Sequence, residues 1–433
     1  PSLGDPTQRA TSARWVGGGR GPLPPSFRTL GDTTLKITIL SNAPWGNTGY
    51  ANQTRHMLPR LEALGHELAV ISFYGLEGGI IRQGATRIYP RGQHPYGIDV
   101  IDAHTAHFNN GKPGGLCISL MDSWVIDPNA IRQTRWAALF PVDHSPLPPP
   151  IKARVERAWA RIVYSRFGER MVHDAGLDCL YAPHMIDAQV YKPQPQAFAR
   201  QQLGVPQDAF VVGMVAANKG NPSRKCFQQQ LQAFAEFHRR HPDTWLYLHT
   251  SKGIQGGAEA VNLPELVAHL GLTACTQFVD QYMNFLGLPD EAVALTYSAF
   301  DVLTSVSMGE GFGIPIVEAQ ACERPVIVGD WTAMSELCFA GWKVDPADAD
   351  PLWTPLGAFQ FVPRVGAIVD AYEQAYKDAG SLTLRKQARR GALAYDADDV
   401  AQRYWKPLLE ELEQRMADED GAPTFNSLAG VAV

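Results

Sequence analysis

Leu35-Lys36-Ile37-Thr38-Ile39-Leu40 is followed by a turn-rich loop over 42–49 and a helical pattern over 50–64 that Gly65 stops. Glu67-Leu68-Ala69-Val70-Ile71-Ser72 comes next. These segments read as strand, glycine loop, helix and strand. Such an order is a βαβ unit, and a βαβ unit implies a parallel sheet. Outward from it the alternation continues, with strands expected at 98–101, 116–120, 136–142 and 161–165. The stretch around Gln194-Pro195-Gln196 reads as a linker, after which the pattern restarts. Strands are expected at 210–217, 245–250, 277–279, 302–305 and 325–328, and helices at 224–240, 263–270, 291–298 and 315–322. Two successive α/β halves are the result.

Length and composition agree with that division. The chain has 433 residues, enough for two or three domains with separate cores. Lys plus Arg number 38 against 44 Asp plus Glu, a formal charge of −6, which argues against a general polyanion binder. The longest apolar stretches are strand-sized, so no membrane span is expected. Cysteines 117, 179, 226, 275, 322 and 338 form no CxxC pair and read as reduced, mostly buried thiols of a cytoplasmic protein. Residues 1–33, rich in Gly and Pro, read as a flexible, mildly basic arm with Arg9, Arg14, Arg20 and Arg28.

Chemistry concentrates in Ser307-Met308-Gly309-Glu310-Gly311-Phe312-Gly313-Ile314-Pro315-Ile316-Val317-Glu318-Ala319, which leaves a strand and opens a helix. Pro315 suits a first helical turn, where a missing N–H is no loss. Gly311 and Gly313 permit close backbone approach to a ligand, and the free N–H groups of a helix start favour an anion. Glu310 sits in the loop and Glu318 about one turn into the helix, so two carboxylates are placed to hold two hydroxyl-bearing parts of one ligand. A second stretch breaks a local rule. Asn221 and Pro222 read as the N-cap and first residue of the helix over 224–240, which puts Arg224 and Lys225 where cations oppose the helix dipole. A bound diphosphate would remove that conflict; a solvent-screened pair is the plainer alternative.

With these residues the chain resembles the retaining GT-B glycosyltransferases of family 4, the group that includes sucrose and glycogen synthases and mannosyltransferases of lipid and polysaccharide assembly. Tyr297-Ser298-Ala299-Phe300-Asp301-Val302, Glu310-Gly311-Phe312-Gly313, Glu318-Ala319 and Pro325-Val326-Ile327 are similar to its donor-site block. Glu310 and Glu318 match the ends of its Glu-x7-Glu motif. Lys225 matches its phosphate-binding lysine, and Asn218 or Arg224 replaces its usual arginine. Residues 46–50, including Gly49, fit its first loop, and Pro183-His184-Met185-Ile186-Asp187 fits the end of its first half. Met185 stands where the family usually has glycine, and Glu323-Arg324 replaces its small-residue turn.

The resemblance implies two Rossmann-like domains facing across a cleft. An acceptor-side domain over 34–194 would regain a crossing helix at about 400–416. A nucleotide-sugar-binding domain would span 195–399, and a tail 417–433. It further implies transfer of a sugar from a nucleoside-diphosphate sugar to an unidentified acceptor with retention of configuration and without a metal or other cofactor. Lys225 and Arg224 would neutralise the diphosphate, helped by the backbone of Gly311, Phe312 and Gly313. Glu318 would hold the ribose and Glu310 the donor sugar. A histidine near the reaction centre is expected at His144, and Asp122, Asp143 and Gly49 are acceptor- or sugar-side candidates. An epimerase on the same fold and a silent nucleotide-sugar-binding protein are the alternatives. Arg154, Arg157 and Arg161 share a helix face by spacing, which reads as a solvated face or as a peripheral contact with an anionic acceptor or membrane surface.

Overall fold

The computed structural model describes residues 34–253 and 260–421. The arm over 1–33 and residues 422–433 of the expected tail lie outside the described residues. In the first half, β1 (Lys36–Asn42), β2 (Glu67–Tyr74), β3 (Ile81–Gln83), β4 (Thr86–Pro90), β5 (Leu116–Leu120), β6 (Arg135–Phe140), β7 (Ala160–Val163) and β8 (Leu180–Tyr181) form one sheet in the order β3-β4-β2-β1-β5-β6-β7-β8. All pairs but β3–β4 are parallel, with Ile37 of β1 opposite Leu68 on one side and Leu116 on the other. Ile37, Ile39, Val70, Leu116 and Ile118 are wholly buried, as expected of strands covered on both faces.

The second half carries β9 (Phe210–Val215), β10 (Thr244–His249), β11 (Thr276–Phe278), β12 (Val302–Ser305), β13 (Val326–Gly329) and β14 (Gly341–Val344), all parallel in the order β11-β10-β9-β12-β13-β14. Both sheets are doubly wound. Their strand order reverses between β1 and β5 in one and between β9 and β12 in the other, the two places where a crevice opens beyond the carboxyl ends.

Several elements differ from expectation. Residues 98–101 are not a strand: a 3-10 turn at Ile98–Val100 leads into a helix at Ile101–Phe108. Ile98, Ile101, Thr105 and Phe108 are buried at three- and four-residue spacing, the helical period. The helix expected from 224 starts at Phe227, because Cys226 takes a left-handed conformation (φ 52°) that cannot continue a helix backwards. Arg224 and Lys225 therefore precede the helix. Arg154, Arg157 and Arg161 share no helix face. Their helix ends at Val155, and Arg161 lies on β7, where its guanidinium binds the Asp178 carboxylate and carbonyl.

A hairpin of β15 (Ala349–Trp353) and β16 (Phe359–Pro363), which the sequence does not announce, joins the halves. Ser145 and Phe359 exchange two backbone hydrogen bonds (3.0 and 2.9 Å), and Phe361 N–H donates to the Met308 carbonyl (2.9 Å). The last segment returns to the first half. It runs through a helix at Ala397–Val400, a π-helical turn at Ala401–Trp405 and a helix at Lys406–Gly421. Ala397 N–H donates to the Ile186 carbonyl, and Arg60 pairs with Asp398 at 2.8 Å. Residues 417–421 are thus helical, not tail: Glu419 accepts from Arg135 Nε (2.9 Å) and Trp159 Nε1 (2.6 Å).

Candidate active site

Both reversal points carry polar side chains, and the two sets meet. At the β9–β12 reversal, the loop after β9 supplies Arg224 and Lys225, and the loop after β12 supplies Glu310. Met308 N–H donates to the Arg224 carbonyl (2.8 Å), which ties the loops together and keeps Arg224 out of the helix. Glu310 is 6% exposed and receives Lys225 Nζ at 2.5 Å, Arg224 Nη1 at 3.3 Å and the Ser307 hydroxyl at 2.6 Å. Its backbone N–H donates to the Thr332 hydroxyl (3.0 Å). Burial pushes the Glu310 carboxyl up, but the charges of Lys225 and Arg224 outweigh it and leave it at about 2. Burial pulls Lys225 below its ordinary value and Arg224 adds to that, against the upward pull of Glu310.

Glu318 has the opposite environment. It is 5% exposed in the helix Ile314–Ala321 and accepts a hydrogen bond from the Tyr297 hydroxyl (2.7 Å). Burial raises it to about 7, with Asp290 adding to the rise and the Tyr297 and Tyr191 hydroxyls opposing it. One motif thus holds an ionised glutamate with two cations and, among phenols, a second that takes up its proton far more readily. Gly313 caps this helix at φ 112°, a conformation that favours glycine. A Cβ on Gly309 would lie 2.2 Å from the Asp143 carbonyl oxygen, and one on Gly311 2.5 Å from Pro141 Cβ. The glycine loop is therefore pressed against the first half.

From that half Asp143, just after β6, places its carboxylate 3.5 Å from Arg224 Nη1 and 2.6 Å from His144 Nδ1. Burial pushes Asp143 up; its hydrogen bond with His144 and the Arg224 charge reverse that and hold it below the ordinary carboxyl range. The residue that reaches the second half here is Asp143, with the buried His144 behind it. At the β1–β5 reversal, Tyr50 donates to Asp122 Oδ2 (3.2 Å). Burial and the Asp143 charge raise Asp122. Gly49 starts the helix Gly49–Ala63 and faces Ile314 across the junction, a Cβ there lying 3.6 Å from Ile314 Cδ1.

The side chain of one expected donor residue is already engaged. Asn218 donates to the Ser251 (3.2 Å) and Val261 (2.8 Å) carbonyls and accepts from Val261 N–H (3.1 Å), so its amide tethers a neighbouring loop. The Phe312 ring is buried against Tyr164, His184 and Tyr395, an aromatic seam between the halves. Tyr297, Ser307 and Thr332 each hold one of the two glutamates; Tyr297 and Ser307 lie in the stretches the sequence singles out, though without an expected role, and Thr332 lies outside them. Of the three, only Ser307 has a local signal, three residues before Glu310. Among the described residues no group of three or more His, Cys, Asp or Glu is placed to hold a metal ion, and no helix is long and apolar enough to cross a membrane.

Doubly wound sheets joined with their carboxyl ends toward one another define the GT-B glycosyltransferase fold. A sucrose-phosphate synthase from Thermosynechococcus elongatus superposes with a TM-score of 0.68 over 89% of this chain and 100% of its own, at 18% identity. Anabaena HepE in complex with UDP-glucose superposes at 0.63 over 87% and 100%, also at 18% identity. Residues 210–354 match the family of glycosyl transferases group 1, and through this segment the chain is related to that family. The D-inositol 3-phosphate glycosyltransferase of Corynebacterium jeikeium is 34% identical over 132 residues, 30% of this chain and 29% of that one. The chain spans under a third of that relative's length.

Proposed function

We propose that the chain transfers a hexosyl group from a nucleoside-diphosphate sugar to an acceptor hydroxyl, with retention and without a metal. The observation that carries this reading is the convergence of Lys225 and Arg224 on Glu310 at the β9–β12 reversal, beside the helix start after Gly313. Two cations neutralise a diphosphate there as Mg²⁺ does elsewhere. Without donor, Glu310 is their counterion. A diphosphate replaces it and leaves its carboxylate for the hydroxyls of the donor sugar. Glu318, bonded to Tyr297, takes the ribose hydroxyls. The departing phosphate accepts the acceptor's proton on the same face, and fixed charges stabilise the cationic sugar and the leaving diphosphate. Asp143 orients Arg224, His144 orients Asp143, and Asn218 shapes the loop beside the donor.

Calorimetry with UDP and GDP, beside initial rates with UDP-glucose and GDP-mannose, tests this. Glu318→Ala is expected to weaken diphosphate binding by about 1.5–3 kcal/mol, the worth of hydrogen bonds to a charged group. Glu310→Gln is expected to bind the diphosphate at least as tightly as wild type, because its cations lose a competitor, while turnover falls. Reversed effects of the two variants reverse the orientation of the donor. An isomerised nucleotide-sugar without diphosphate release indicates an epimerase, and binding without turnover a silent binder.

A further inference from the structure

The first-half face of the junction has a charge pattern of its own. Beyond the carboxyl ends of β1, β2, β5, β6 and β7, residues 42–50, 74–76, 121–126, 141–148 and 164–165 contain no lysine or arginine. Nearby Arg55 donates to the Pro44 carbonyl of the strip (3.1 Å) but is paired with Asp290 at 2.9 Å, Arg91 is paired with Glu77, and Arg166 with Glu169 at 2.8 Å. Two carboxylates, Asp122 and Asp143, occupy this strip with the phenols of Tyr50 and Tyr164. Across from it stand Arg224 and Lys225, which already hold Asp143 and Glu310.

Two buried polar atoms at the same strand ends lack partners. Asn42 ends β1 at 4% exposure; its Nδ2 donates to the Thr48 hydroxyl (2.5 Å), but its Oδ1 has no hydrogen-bond partner among the described residues. Ser123, next to Asp122 beyond β5, is 1% exposed, and its hydroxyl is unpartnered too. Other side-chain atoms of the described residues are buried without a partner too, and these two lie at the strand ends that face the junction.

We infer that the acceptor taken at this strip, on the half that the family resemblance makes acceptor-side, is an uncharged polyhydroxyl compound, a free sugar or polyol, and not a phosphorylated one. The inference rests on the proposed transferase reading. Hydroxyl groups donate to carboxylates and accept from phenols, so Asp122, Asp143, Tyr50 and Tyr164 offer both roles in one place. A phosphomonoester would meet two carboxylates and, among the described residues, only cations that are already paired, and like charges brought together at an interface exclude a partner. Asp122 is the specificity-determining residue in this arrangement, because Asp143 is already held by His144 and Arg224.

The test uses the full chain with UDP-glucose and GDP-mannose as donors. It reads diphosphate release with myo-inositol, glucose or glycerol, each beside its monophosphate. A neutral compound is expected to accelerate release where its monophosphate does not. Asp122→Asn is expected to lower kcat/KM for the neutral acceptor about ten- to a hundredfold, with UDP and GDP affinity unchanged. Tyr50→Phe, which keeps the ring, is expected to give a smaller loss of the same kind, and thermal melting of both variants separates this from misfolding. Faster release with a monophosphate than with its neutral parent overturns the inference. So does release that responds to none of the neutral compounds. If wild-type protein binds neither UDP nor GDP, the donor reading fails first and this inference with it.

Discussion

The β9–β12 and β1–β5 reversals are built alike and furnished differently. At the first, cations and a carboxylate neutralise one another in a ring of short contacts, with Lys225 2.5 Å from Glu310. At the second, a carboxylate is held by a phenol, Tyr50 to Asp122 at 3.2 Å, with no lysine or arginine in the strip around it. A charged ring must be opened by a charged ligand, whereas a carboxylate–phenol pair exchanges hydrogen bonds with a neutral one. The same strand geometry therefore carries two kinds of polar environment, decided by a few side chains.

The largest expected effect strikes the charged ring. Lys225→Ala is expected to lower turnover with UDP-glucose or GDP-mannose by about 10²–10³-fold, the usual loss when one preorganised group for a developing anion is removed. Initial rates check this, and near-wild-type rates would show that the ring is structural only.

The next concerns pH. Glu318 is raised from 4.5 in its ordinary state to about 7 when folded, so the folded chain binds the proton more tightly than the unfolded one. Its contribution to stability is whole below about pH 4.5 and declines as pH rises through about 7, by about 3 kcal/mol in all. Glu310, lowered to about 2, has the opposite sign: its contribution is present above 4.5 and fades as pH falls toward 2. Urea unfolding of Glu318→Gln between pH 5 and 8 is expected to show the decline removed. An unchanged slope would place the titration elsewhere.

A smaller effect is expected where the halves touch through half-exposed charges. Arg55 on the helix Gly49–Ala63 pairs with Asp290 at 2.9 Å. Arg55→Ala is expected to cost about 0.2–1 kcal/mol in thermal or urea unfolding, as exposed ion pairs do. The smallest is none at all. Diphosphate release is expected to persist in excess EDTA. Loss restored by Mg²⁺ or Mn²⁺ would show that an ion, and not the pair Lys225 and Arg224, neutralises the leaving group.

How much of this is legible in the sequence differs between the halves for a physical reason. The second half's site lies largely within one turn of chain, so Glu310, the glycines and Glu318 announce themselves by spacing. Arg224 and Lys225 stand out as misplaced cations. Their true position depends on the conformation of Cys226 and on a backbone bond to Met308, neither of which leaves a local mark. Tyr297 and Thr332 reach the glutamates from other elements, through packing that periodicity does not show. In the first half the site is assembled from five strand ends. Asp122 and Asp143 can be named by location, but Tyr50 and Tyr164 look like ordinary core aromatics. The hairpin over 349–363 is hidden because Asp350, Pro351 and Pro363 disguise its strands.

The returning C-terminal segment has a consequence for how the molecule is made. Trp405, Leu408, Leu409 and Leu412 are buried, and Glu419 is held by Arg135 and Trp159 from the first half. During synthesis that half emerges before the second, yet the surface that completes it, residues 397–421, follows the second half. Vectorial folding, in which each domain closes as soon as it is translated, is then available to the second half alone. The first half must wait, with an apolar flank uncovered, until the second half and residues 397–421 behind it are out.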